Sequence, residues 1–186
     1  MQTTFSSRVS RLLLIATTAT LLAPAAALAA DRSALVRDAQ KVYNKLLATV
    51  PAAKTLSRDA VAVLVFPKIT KAGLGIGAQY GDGVLLKGGK AVGYYNTSGA
   101  SYGLQAGAQQ YGYAMFMMNE KALNALDQNN GFEVGVGPSI VVVDEGMGKT
   151  MTSTTVTNDI YAFIFSQKGL MAGLGIQGNK ITRLKG

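Results

Sequence analysis

The sequence predicts an α+β domain: a curved, mostly antiparallel, glycine-rich sheet or partial barrel, packed with an N-terminal amphipathic helix and a second short helix. Three observations carry this prediction. Residues 31–50, DRSALVRDAQKVYNKLLATV, repeat apolar side chains with the period of a helix. The valine-rich run AVAVLVFP, Ala60 to Pro67, opens a series of short strand-like segments. The chain holds 22 glycines, and groups such as GDG, KGG, NTSG, NNG, EGMG and GNK read as turns between those strands.

The chain starts with a short basic segment containing Arg8 and Arg11, an apolar run from Leu12 to about Ala23, and small residues ending in Ala27-Leu28-Ala29. This pattern predicts a cleaved signal peptide over residues 1–29 and a single domain over residues 30–186, periplasmic or secreted. The run is too short, and too interrupted by Thr17, Thr18, Thr20 and Pro24, for a membrane anchor. There is no cysteine, so an exported chain of this kind relies on packing rather than disulfides.

In the helix, Leu35, Val36, Ala39, Val42, Tyr43, Leu46, Leu47 and Val50 form one apolar stripe, and Pro51 ends the helix or falls just past its end. Arg37, Lys41 and Lys45 recur every fourth residue and make a basic line, with Asp38 the nearest opposing charge. Such a line serves either as the solvated face of a core-docked helix or as a surface for anionic lipid. Further strand-like segments are expected near residues 83–86, 91–97, 102–117, 131–136, 140–143, 150–157, 160–165 and 170–177. MNEKALNALDQNN, residues 118–130, reads as the second helix, with Asn119 as its N-cap.

The pentapeptide AGLGI occurs twice, at residues 72–76 and 172–176. In a strand its glycines share one face, which permits close approach of another element, such as the amphipathic helix, or strong curvature of the sheet. The first copy also contains a G-x-G-x-x-A pattern, but QYGDGVLLKGG follows it, which is turn and strand rather than the helix a dinucleotide site needs. The GKT at residues 148–150 lacks the earlier glycine of a phosphate-binding loop, since position 143 is valine.

Chemistry is constrained further by the absence of histidine, which removes histidine-based nucleophilic sites, histidine-ligated zinc and the commonest general base at neutral pH. Asp82, Asp144 and Glu145 lack the spaced oxygen ligands of a calcium loop. The tyrosines of the middle strands, among them Tyr94, Tyr95, Tyr102, Tyr111 and Tyr113, read as sheet packing, with a ring-binding platform as the other option. No catalytic or metal-binding residue is nominated and no cofactor is expected. The formal net charge is +8, and removing Arg8 and Arg11 leaves +6. That balance favours anionic partners, and export favours lipid over nucleic acid.

Three motifs in this order, VAVLVFPKITKAG, SGASYGLQAGAQ and FSQKGLMAGLGIQGNKI, resemble the SYLF domain, a lipid-binding module also described as actin-binding in some eukaryotic members. The resemblance runs from about Arg32 to Ile181. It implies a compact domain with an N-terminal amphipathic helix and glycine-rich β-structure that binds anionic membrane lipid, phosphoinositides in eukaryotes. Carried over by position, the lipid-binding role falls on Arg37, Lys41 and Lys45, and extends to Lys68 and Lys71 around Phe66-Pro67. The chain has neither the SH3 nor the FYVE module usual in eukaryotic members, and export argues against actin and against phosphoinositide as ligands. The expectation is therefore a non-catalytic domain on an anionic phospholipid surface. The alternative is a soluble structural or interaction domain with a protein partner in the cell envelope.

Overall fold

The computed structural model describes residues 23–128, 131–144, 146–147, 151, 156–166, 169–171, 176 and 178–185. The elements are α1 (Ala23–Thr49), α2 (Pro51–Asp59), β1 (Ala62–Lys87), β2 (Lys90–Met117), α3 (Glu120–Ala125), β3 (Phe132–Glu133), β4 (Ile140–Val142), β5 (Ile160–Ser166), β6 (Gly169–Leu170) and β7 (Lys180–Arg183). The chain divides into two compact units, Met1–Ala34 and Leu35–Gly186. In the first, residues 23–34 are described and are helical; residues 1–22 of the expected signal peptide lie outside the description. No helix among the described residues is long and apolar enough to cross a membrane.

The second unit is α+β, as the sequence predicts, and its sheet curls into a half-barrel. The described strands run in the order β3-β7-β2-β5-β4, with β1 beside β2 and β6 beside β5. All pairs are antiparallel except β4 with β5, which makes the sheet mixed.

Two long strands replace the several short ones expected between residues 60 and 117. Only KGG is a turn: Gly88 and Gly89 take positive φ, +56° and +77°, between the paired Lys87 and Lys90, as a two-residue hairpin loop requires. GDG and NTSG lie inside the ladder, facing each other in the pairs Gly81 with Thr97, Asp82 with Asn96 and Gly83 with Tyr95. Asn96 Nδ2 donates to Asp82 Oδ1 at 2.8 Å, so this polar pair ties strands together rather than turning the chain.

The glycines here serve close approach. A Cβ on Gly81 would stand 2.6 Å from the Lys68 carbonyl oxygen, and one on Gly83 would stand 2.5 Å from the Phe66 ring. The second half of β1 therefore lies against its own first half. The fold-back falls at the first AGLGI copy, where the register slips between Gly73 and Gly75 and a Cβ on Gly73 would collide with the Gly77 Cα. Of the two options the glycine pattern left open, the described residues show curvature. Residues 172–175 of the second copy lie outside the description.

Alternation along the strands builds two cores. Leu64, Phe66, Leu85, Tyr113, Met115 and Ile164 belong to one, inside the curl. Val63, Val65, Val84, Phe116, Tyr161 and Phe163 belong to the other, which the helices cover with Ala39, Leu46, Ala52, Ala53 and Leu56. Burial on both faces explains why AVAVLVFP reads as continuous apolar sequence. The inner core also encloses polar groups: Tyr111 donates to Gln79 Oε1, Gln79 Nε2 donates to Asn179 Oδ1, and Tyr113 donates to Thr97 at 2.8 Å.

Sequence reading left residues 52–59 without an element, and they form α2. Pro51 opens it in the first turn, where its missing N–H costs nothing. Helix α3 follows its expected cap, Asn119 accepting from the Ala122 amide at 2.9 Å. Asn119 also donates to Asp159 Oδ1 at 2.8 Å, while Asp159 Oδ2 accepts from the Ser139 amide at 2.8 Å and from Lys121 at 3.3 Å. The strand expected over residues 150–157 is not present at Met151 or at Val156-Thr157, and residues 152–155 lie outside the description.

Two predictions follow from these contacts. Gly81→Ala forces its methyl against a backbone carbonyl and destabilises the protein by about 1–3 kcal/mol in chemical denaturation, whereas Gly88→Asn, in an open hairpin turn, stays close to the original stability. The second concerns acid. The donors around Asp159, Asn119 foremost, hold its carboxyl far below the ordinary carboxylate range. Its contribution is therefore complete above an unfolded carboxylate pKa of about 3.9 and is lost as pH falls below that value. Melting temperature measured from about pH 6 to about pH 3 should fall less steeply for Asp159→Ala than for the original protein.

Candidate functional site

The apolar stripe of α1 is docked. Ala39 and Leu46 are fully buried, and Val42, Tyr43, Leu47 and Val50 are half-buried against the outer core. The Tyr43 ring stands 6.1 Å from that of Phe116, and burial raises its phenol pKa. With the stripe facing the sheet, Arg37, Lys41 and Lys45 remain exposed.

Beside this helix lies a cavity of about 640 Å³. Helix α1 contributes Asp38, Lys41, Val42, Lys45 and Leu46, and the break between α1 and α2 contributes Val50 and Pro51. The sheet side is formed by Pro67 and Lys68 of β1, Tyr111 of β2, Phe165 of β5 and Leu170 of β6.

Pro67 and Lys68 reach the cavity because β1 bulges there. Between the pairs Phe66 with Tyr113 and Ile69 with Tyr111, β1 advances three residues while β2 advances two. A proline cannot donate to a ladder, so it is accommodated at such a bulge, and the extra residue re-aims the neighbouring side chain. Lys68 is thereby set at the cavity, although it comes from a strand whose neighbours Phe66 and Ile69 are buried.

Lys41 and Lys45, one helical turn apart, face the same cavity as Lys68. All three are exposed, and none forms an ion pair within the described residues. Asp38 is the carboxylate residue among the lining groups. Three cations against one anion leave a local formal charge of +2 beside walls made by Val42, Leu46, Val50, Phe165 and Leu170. Tyr111 is also at the wall. Burial pushes its phenol up to about 12, so it stays neutral, with its hydroxyl committed to Gln79.

Of the five residues expected from sequence, the fold brings Lys41, Lys45 and Lys68 together. Arg37 is exposed on the preceding turn of α1 and does not line the cavity, nor does Lys71, which is half-buried on β1. Sequence reasoning placed Phe165 and Leu170 only at the ends of expected strands and missed the wall they form, and it missed the opening left by the helix break at Pro51. Tyr95 and Tyr113 are buried, and Tyr95 donates to Asp127 at 2.9 Å beneath Arg183, so these rings belong to the core rather than to a binding platform.

The model of the Ysc84 family, described as Las17-binding protein actin regulator, matches residues 98–185. No curated protein matches the chain. The matched segment starts within β2 and contains two of the three motifs quoted above, together with Tyr111, Phe165 and Leu170 of the cavity; the lysines precede it. The family that the motifs resemble and the family whose model matches are the same: residues 98–185 are similar to the Ysc84 (SYLF) domain.

Proposed function

We propose that this protein is a non-catalytic, peripheral lipid-binding domain that meets anionic phospholipid headgroups through Lys41, Lys45 and Lys68. The observation that carries this reading is the convergence of three exposed lysines, from a helix and from a bulge in β1, at one apolar-walled cavity with a single carboxylate. Each basic side chain near an anionic surface contributes on the order of 1 kcal/mol, and the attraction is screened by salt. Arg37 extends the basic line along the exposed face of α1 and adds to the same field. Lys71 has a smaller part, being half-buried away from the cavity.

The docked stripe of α1 makes the mechanism electrostatic. Releasing the helix would expose Ala39 and Leu46, which are buried against the outer core, so adsorption proceeds with the helix in place. In this proposal the protein is exported, periplasmic or secreted, and the surface is that of a membrane facing that compartment. A second reading is favoured by the family's description, which names a protein as the bound partner. Under it, the chain is an interaction domain of the cell envelope whose basic face meets an acidic protein.

Co-sedimentation with anionic and zwitterionic vesicles at low and high salt separates the two. Binding is expected on anionic vesicles alone, to weaken as salt rises, and to drop about thirtyfold or more in the double variant Lys41→Glu, Lys45→Glu. Equal binding by the variant and the original protein, or no vesicle binding by either, would transfer the assignment to the protein-interaction reading.

A further inference from the structure

The proposed function needs only a charged surface, yet the lysines surround a hollow. We infer that this cavity binds a single-chain anionic lipid of the monoacyl phosphate class, its phosphate held by Lys41, Lys45 and Lys68 and its alkyl chain lodged among Val42, Val50, Phe165 and Leu170. The inference rests on the lipid reading above and deepens it from surface adsorption to capture of one molecule.

Size, wall chemistry and charge each point to this ligand. At about 30 Å³ for a water-sized unit, a cavity of about 640 Å³ holds roughly twenty such units. That suits one medium-length chain with its headgroup and falls short of two acyl chains. The volume also lies within the range of about 300–1,000 Å³ usual for small-molecule sites, which combine apolar walls with a few convergent polar groups. The walls supply the first part, from five stretches of chain: the α1 stripe, the helix break, the β1 bulge, β2 at Tyr111, and β5 with β6. The lysines supply the second, and the local formal charge of +2 complements a phosphomonoester, which carries about −1.5 to −2 at neutral pH. Asp38, beside Lys41, disfavours further negative charge and so sets a limit on the headgroup.

Chain length is the discriminating variable. Isothermal titration of the protein with octyl, decyl and dodecyl phosphate, each below its micellar concentration, should give one site whose affinity rises about tenfold or more for every two methylenes added. Inorganic phosphate should bind far more weakly than any of them. Leu170→Trp fills the cavity without altering charge. It should weaken dodecyl phosphate at least tenfold while changing the binding of inorganic phosphate little, and the length series on the original protein stands alone if that variant does not fold. Affinity independent of chain length, or binding of inorganic phosphate as tight as that of dodecyl phosphate, would overturn the inference. Vesicle binding without dodecyl phosphate binding would overturn the cavity ligand and leave the surface reading intact. Dodecyl phosphate binding without vesicle binding would support the cavity ligand and remove the membrane.

Discussion

The constraint on which this structure depends is the packing of β1 against itself. A strand of 26 residues is several times the usual length of five or six, and it stays within one small domain only by folding over. Gly81 and Gly83 make that possible, because the Lys68 carbonyl and the Phe66 ring occupy the space where side chains would otherwise project. Strand β2 follows as the antiparallel partner, so it curls with β1 and presents its two ends to different neighbours. Its start pairs with β7 and its end with β5. The half-barrel is thus one folded ribbon with short strands added along its edge.

The site inherits its geometry from this ribbon. The bulge at Pro67-Lys68 lies just before the fold-back, next to the point where Gly81 crosses. A regular ladder would alternate Lys68 with its buried neighbours on a fixed face; the added residue gives it to the cavity instead. The helix contributes for a complementary reason. Its apolar stripe is satisfied by the outer core, which leaves Lys41 and Lys45 beside the stripe and at the edge of the covered sheet. Neither arrangement requires any lysine to be buried, so three charges gather without the desolvation cost that follows burial of like charges.

Helix α1, α3 with its Asn119 cap, and the valine-rich start of β1 were legible in the sequence because each depends on local chemistry: a 3.6-residue stripe, a capping side chain, a β-branched run. The long hairpin was not. GDG and NTSG carry turn residues, and nothing local distinguishes a glycine required for positive φ from one required because another part of the chain occupies the place of its Cβ. That information lies in contacts between residues more than ten positions apart, as with Gly81 and Lys68. Helix α2 was missed because its buried residues, Ala52, Ala53 and Leu56, make too short a stripe over nine residues. For the site, the basic line of α1 was legible as periodicity and Lys68 only through resemblance. The separation of Lys41, Lys45 and Lys68 from Arg37 and Lys71 required the fold, because it depends on where the cavity opens.

Where the cavity opens is itself decided by a break in the helices. Val50 leaves helical geometry, with φ −122° and ψ +104°, as the residue before a proline tends to do. Pro51 then starts α2 in a new direction, and α2 buries Ala52, Ala53 and Leu56 in the outer core. A continuous helix would keep the α1 stripe in register with its lysines for another two turns. The break ends the stripe at Val50 and leaves the β5–β6 end of the sheet, with Phe165 and Leu170, facing the gap. Apolar wall and basic rim therefore coincide because one proline stops the covering helix one turn after Lys45. The hollow and two of its three cations, Lys41 and Lys45, thus have a common origin in the break after α1, while the third, Lys68, is supplied by the β1 bulge.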